Sequence, residues 1–423
     1  MKLKCLAAVM AATFALPAMA AEFRDYPDLP SQQAVQQALQ SYPSVLAAQA
    51  GIKAGEATRE RLETGSHEFN FTAGAARRRI SDTGEGLRDW SVGLERALRL
   101  PRKAELDSSL GQQSVVLAHN SYGDSMHEAG RKLLSGWFTW LRERAQSEQW
   151  QQQVDVLKQQ LDVVTRRVKA GDAARLEEDL AQAALMQAEI GLQQARLRTD
   201  NAIAGLVRYF PGLPLPARPT GGEPEILPQD LAYWLDLGLD HNHELLLARA
   251  ESKIAQLTAQ RSDADRIPDP TLGVHFLSER DGGDRVTGVS VSIPLPGGAR
   301  RAASAESSAR AEMAAQREAL VLRRLEAEIS AAYNSAKSSY ASWQSARSAS
   351  ELMQRNEDKM GRAYALGEMG LNEVLLARKQ GMEARLAASL AQLEAAETRY
   401  RLLLDTHQLW PLGSEEEEVH HLH

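Results

Sequence analysis

Apolar residues recur along this chain with two different periods. Over most of its length they step by three and four, as in Val154, Leu157, Leu161, Val164 and Val168, and again in Leu322, Leu325, Ile329, Ala332 and Ala336. That spacing predicts helices packed along coiled-coil seams. In four short places the period falls to two, the signature of a pleated strand. These are about 67–76 (Phe69, Phe71, Ala73, Ala75), about 90–100 (Trp90, Val92, Leu94, Leu98, Leu100), about 271–278 (Leu272, Val274, Phe276) and about 285–295 (Val289, Val291, Ile293, Leu295). The turns within each pair, SDTGEGLRD and SERDGGDR, carry the Asp/Gly chemistry of exposed hairpin loops. Arg96 interrupts the apolar positions of the second strand, and Pro294 falls in the fourth, where it marks the passage from strand to helix.

The pattern occurs twice, at an offset of about 200 residues. LQSYPSVLAAQAGI (39–52) aligns with LDHNHELLLARAESKI (239–254). VGLERALRLPRKA (92–104) aligns with TGVSVSIPLPGGA (287–299), and VKAGDAARLEEDLAQA (168–183) with ALGEMGLNEVLLARK (365–379). Three matches in one order predict a tandem duplication. Each repeat reads as a helix (31–64; about 229–263), a hairpin, a very long helix (about 103–165; 299–361), a glycine-marked turn and a return helix. At about 1.5 Å per residue the long helices are rods of roughly 90–95 Å. The expected organisation is 1–20 leader, 21–210 first repeat, 211–228 proline-rich linker, 229–410 second repeat and 411–423 acidic, histidine-bearing tail.

Composition narrows the class. Of 423 residues, 43% are hydrophobic, mostly Ala and Leu, and only 5% are aromatic, which suits long helices joined through small side chains. MKLKCLAAVMAATFALPAMA reads as a secretory signal peptide with an Ala-Met-Ala cleavage site. Its removal takes Lys2, Lys4 and the sole cysteine, Cys5, moving the formal charge from −7 to −9 and leaving no thiol. Cys5 precedes the apolar run, so it is not placed for lipid attachment. No second run of eighteen apolar residues exists to make a transmembrane helix.

An exported chain with strands of about ten residues has one route into a membrane, since tilted strands of that length cross a hydrocarbon layer. Sheet edges cannot stay open in lipid, so four strands need other chains to close a barrel, and three copies give twelve strands. The predicted fold class is mainly α with a membrane β-barrel portion. No HExxH, GxSxG or paired-carboxylate arrangement is present, so neither an enzyme nor a cofactor is expected. The negative charge argues against a nucleic-acid partner, and the RRR of 77–79 is expected to face lumen or headgroups instead.

The duplicated plan, with YALG (364–367), IPLP (293–296) and IPDPTLGVHF (267–276), resembles the TolC-like outer-membrane efflux proteins across essentially the whole mature chain. The resemblance implies a homotrimer in the outer membrane, with a twelve-stranded barrel on a periplasmic helical tunnel. It also implies docking, through a periplasmic adaptor, to an inner-membrane pump of the resistance-nodulation-division type. The implied role is a passive exit duct. IPDPTLGVHF and the absence of a lipid-attachment cysteine look most like the heavy-metal branch, with drug efflux or type I protein secretion as alternatives. Heptads alone would also fit a structural periplasmic coiled-coil protein, which needs neither strands nor duplicated glycine turns.

Gly171 and Gly367 mark the helical turns, where a left-handed residue is expected. By the resemblance these turns form the periplasmic mouth and adaptor surface. Tyr364 matches the family's gate tyrosine, and Glu177 and Glu373, each six residues past a glycine, match acidic or hydrogen-bonding gate positions. The family's basic residue two after the second glycine is here Met369, and a further expected acid is Leu376, which puts an arginine-linked gate in doubt. Glu177 and its neighbours equally suit a helix start through the dipole. His420, His421 and His423 could collect metal ions or be incidental to an acidic tail. His241 and His243 are expected on different faces of a helix.

Overall fold

The computed structural model describes residues 24–217, 222–240 and 242–412. The leader and the histidine tail, with His420, His421 and His423, lie outside the described residues. The elements run α1 (Gln32–Gln40), α2 (Pro43–Thr64), β1 (Phe69–Arg79), β2 (Gly86–Ala97), α3 (Pro101–Ala170), α4 (Arg175–Tyr209), α5 (Leu231–Asp240), α6 (His243–Ala264), β3 (Thr271–Glu279), β4 (Asp284–Ser292), α7 (Gly298–Ala365) and α8 (Leu371–Asp405). A 3-10 turn, Arg280–Gly282, joins β3 to β4.

The molecule is mainly helical with one four-stranded antiparallel sheet in the order β1-β2-β3-β4. Both repeats supply the same series, α2-β1-β2-α3-α4 and α6-β3-β4-α7-α8. The long helices, of 70 and 68 residues, exceed the expected rods at both ends and measure about 100 Å each. No described helix is long and apolar enough to cross a membrane.

Two expected single helices are each broken. The first splits at Ser41–Tyr42 because Pro43, which lacks an N–H, starts α2, and Tyr42 before it is extended. The second splits at Asn242, whose side chain accepts the Leu245 N–H (3.0 Å) and caps α6. His243 is the first residue of α6, and His241 lies outside the described residues. Two strands also end earlier than expected. β2 stops at Ala97 and β4 at Ser292, so Leu98, Leu100, Ile293 and Leu295 lie beyond the ladder. Pro101, Pro294 and Pro296 remove the donors that pairing would need.

The aromatic residues are spent midway along the rods. There Trp137, Phe138 and Trp140 of α3 are buried with Leu39, Phe210, Trp234, Leu404 and Trp410. Towards the turns the core thins to seams. Val154 and Leu157 meet Ala188 and Leu192, and Val164 meets Ala181 and Leu371.

Where helices meet the sheet, a buried charge network joins the repeats. Lys103, 2% exposed, reaches Asp265 and Asp269, both at 3.0 Å. Asp269 also accepts the Leu100 N–H (3.1 Å) and contacts His67 (3.2 Å). Asp107 takes Arg99 (3.1 Å) and Arg261 (2.6 Å). Burial works against the Asp269 carboxylate, but Lys103, the Leu100 N–H and His67 outweigh it and hold its pKa below the usual range. Asp265 is likewise lowered: its burial is outweighed by Arg261 and Lys103.

Candidate functional site

The sheet has two chemically different faces, fixed by register. One face carries rows such as Phe69–Arg96–Leu272–Val291, Phe71–Leu94–Val274–Val289 and Ala73–Val92–Phe276–Thr287. Its apolar side chains are open, with Phe71 66% and Val289 77% exposed. Arg96 is accommodated here by lying over the Phe69 ring (4.7 Å) and donating to the His67 carbonyl (2.8 Å). The opposite face carries Asn70, Thr72, Ser91, His275 and Ser290, four carboxylates (Asp89, Glu95, Glu279, Asp284) and one guanidinium, Arg78. Arg78 is held between Asp89 and Glu279, both at 3.0 Å. In the single chain β1 and β4 are edge strands with unpaired backbone.

The second candidate region is the far end of the rods. α3 ends with Gly171 in the left-handed region (φ 82°), the Asp172 N–H reaching the Arg167 carbonyl (2.9 Å) and the Gly171 N–H that of Val168 (3.1 Å). α7 ends the same way, with Gly367 at φ 76° and the N–H groups of Glu368 and Gly367 reaching the carbonyls of Ala363 (2.9 Å) and Tyr364 (3.0 Å). Both turns thus close with the same pair of bonds, which a side chain at the glycine would strain.

Between the two turns, Arg167 donates to the Tyr364 hydroxyl (2.8 Å) and lies over its ring (5.3 Å), and that hydroxyl donates to Glu177 (3.4 Å). Burial raises the Tyr364 pKa, with Glu177 adding to it and Arg167 opposing, so the hydroxyl stays a neutral donor. Tyr364 and Glu177, expected from sequence, are brought together here. Glu373 is not among them. It is exposed in the first turn of α8 and its carboxylate folds back beside Gly370, 2.7 Å from where a Cβ would stand. Arg167 was missed: as a basic residue in the last turn of α3 it reads only as a partner of the helix dipole. Among the described residues no group of three or more His, Cys, Asp or Glu is arranged to hold a metal ion.

Residues 34–210 match the model of the outer membrane efflux protein family. That match spans the first repeat. Among curated proteins none matches the chain in sequence. Solved outer-membrane proteins share its fold. The outer membrane protein VceC of Vibrio cholerae is 16% identical, with a TM-score of 0.72 over 90% of this chain and 99% of that one. The CmeC outer membrane channel of Campylobacter jejuni is 12% identical, at 0.74 over 99% and 96%. The open-state MtrE outer membrane channel of Neisseria gonorrhoeae is 17% identical, at 0.73 over 90% and 89%. At such identities the likeness is one of fold. CmeC and MtrE are outer membrane channels, and VceC is an outer membrane protein.

Proposed function

We propose that the chain is the outer-membrane exit duct of a tripartite efflux system. Three copies close their sheets, β4 of one beside β1 of the next, into a twelve-stranded barrel. The long helices form the tunnel below it. The reading rests above all on the sheet: one face apolar, the other polar, both edges open, at one end of a helical rod. In lipid such a sheet is stable only when closed, apolar face outward. A coiled-coil scaffold has no use for that sheet.

The duct works passively. An inner-membrane pump of the resistance-nodulation-division type delivers substrate, and a periplasmic adaptor meets the two glycine turns. Tyr364, held by Arg167 and Glu177, ties the second turn to the first and keeps the mouth narrow. Glu373 adds an exposed acid at the same end. Heavy-metal cations are the proposed cargo, since the polar face sets four carboxylates against one guanidinium and acidic linings concentrate cations.

Purified protein in planar bilayers is expected to give discrete, cation-selective conductance steps; absence of any step sinks the duct. A deletion strain challenged with zinc, cobalt, cadmium, copper, silver and hydrophobic drugs tests the cargo. Sensitivity to drugs alone keeps the duct and discards the metals.

A further inference from the structure

The apolar face of the sheet ends in arginines. Following the register towards the hairpin turns, the row Ala75–Trp90–Ser278–Arg285 is succeeded by Arg77 opposite Arg88, and then by Arg79 opposite Gly86. Arg77, Arg79, Arg88 and Arg285 therefore share one face, and all four are exposed. Among the described residues none of these four side chains makes an ion pair or hydrogen bond.

The contrast with the other arginines of the sheet is sharp. Arg78, on the opposite face, has two carboxylates, and Arg96, at the helical end, has a carbonyl and an aromatic ring. The acids Asp89, Glu95, Glu279 and Asp284 all sit on the opposite face, so the sheet itself separates them from the four. Asp281, in the β3–β4 turn, is engaged by the Arg88 backbone N–H (3.0 Å). Like charges placed directly across two strands are destabilising. Arg77 and Arg88 are so placed, and no described residue pairs with either side chain.

The position says what does. The arginines begin with Arg285 in the last row of the apolar band and continue in the two rows beyond it; the rows from Phe69 to Ala75 span about 20 Å along the strand. Trp90, tilted against the Phe276 ring (5.3 Å between centroids), marks the boundary as interfacial aromatics do. A guanidinium fork fits a phosphate by two parallel hydrogen bonds. We infer that Arg77, Arg79, Arg88 and Arg285 form a binding site, on the lipid-facing rim of the barrel, for the phosphate groups of an outer-leaflet glycolipid. The inference rests on the duct reading for which face meets lipid. Closing the barrel would set Arg285 of one copy beside Arg77 and Arg79 of the next and make the site span the seam.

The test uses the purified full chain in detergent, incubated with lipid A bearing both phosphates or neither, with retained lipid counted by mass spectrometry. Wild-type protein is expected to retain the bisphosphorylated form at least about tenfold better, given the attraction of each arginine near an anionic surface. The variant R77Q/R79Q/R88Q/R285Q loses that preference, while R78Q, on the polar face, keeps it. Millimolar inorganic phosphate leaves the lipid in place. Equal retention of both lipids by wild type overturns the site, as does an unchanged preference in the quadruple variant or displacement by free phosphate. The wild-type comparison needs no variant to fold. Conductance in phosphatidylcholine bilayers is read separately: channels without lipid preference overturn the site and spare the duct, and no channels overturn the duct.

Discussion

The two ends of the long helices are built to opposite specifications. At the sheet end, Lys103 is buried between Asp265 and Asp269, and Asp107 between Arg99 and Arg261, so both repeats are locked by charges that, Asp265 apart, are largely withdrawn from water. At the turn end the repeats meet through a thin seam of Val164, Ala181 and Leu371 and one Arg167–Tyr364–Glu177 link. The difference teaches where motion is affordable. On the proposed duct, a rod pinned in the membrane must not slip at its junction, whereas a mouth that opens must be held by little.

The largest effect should follow from breaking the pinned end. Lys103→Met removes the buried cation shared by Asp265 and Asp269 and is expected to destabilise the protein by about 3 kcal/mol, read by denaturant unfolding of the detergent-solubilised protein. A loss near zero would mean that the network is ornamental. Acid should act on the same end. Because the folded pKa values of Asp265 and Asp269 are lowered, their contribution is present above the unfolded value of about 4 and is lost as pH falls through the folded values. Thermal scans should show the midpoint dropping below that pH, and the drop should shrink in Lys103→Met, where Arg261 still holds Asp265 and the Leu100 N–H still holds Asp269.

The turn end should respond in conductance more than in stability. Arg167→Ala frees Tyr364 and is expected to raise single-channel conductance severalfold, with a cost of about 1 kcal/mol in unfolding. The same conductance as wild type would remove Arg167 from the gate. Gly367→Ala forces a left-handed alanine and should cost about 1 kcal/mol, with amides of the turn exchanging faster while those at 100–107 stay protected. Least of all, Glu373→Ala should shift cation selectivity and leave assembly and melting alone, since its carboxylate is exposed beside Gly370.

Sequence revealed the elements wherever one period dominated. The alternation of Phe69, Phe71 and Ala73 is unmistakable because one face is apolar and the other is not, and heptads mark Val154 to Val168 because a seam tolerates no other spacing. Boundaries were harder. Ile293 keeps the alternation past the point where prolines end the pairing, and Leu98 adds only one further bond, its N–H to the Pro270 carbonyl (2.8 Å). Asn242 hides as one polar residue among several until its side chain is seen to cap α6. At the candidate gate, Tyr364 and Glu177 were legible through the glycines that precede or follow them. Arg167 was not, because its partner lies 197 positions away and the equivalent place in the second repeat holds Ala363. The arginine rim was half legible: RRR stands out, yet only the register assigns Arg77 and Arg79 to one face with Arg88 and Arg285, and Arg78 to the other.

The strand count carries a topological consequence. Each chain contributes an even number of antiparallel strands, so β4 always runs opposite to β1. Any ring of identical copies, whatever its size, therefore joins through antiparallel seams of the more favourable kind. The sheet is indifferent to stoichiometry. In the proposed ring, the number of subunits would be left to the angle at which the helices fit side by side below the sheet.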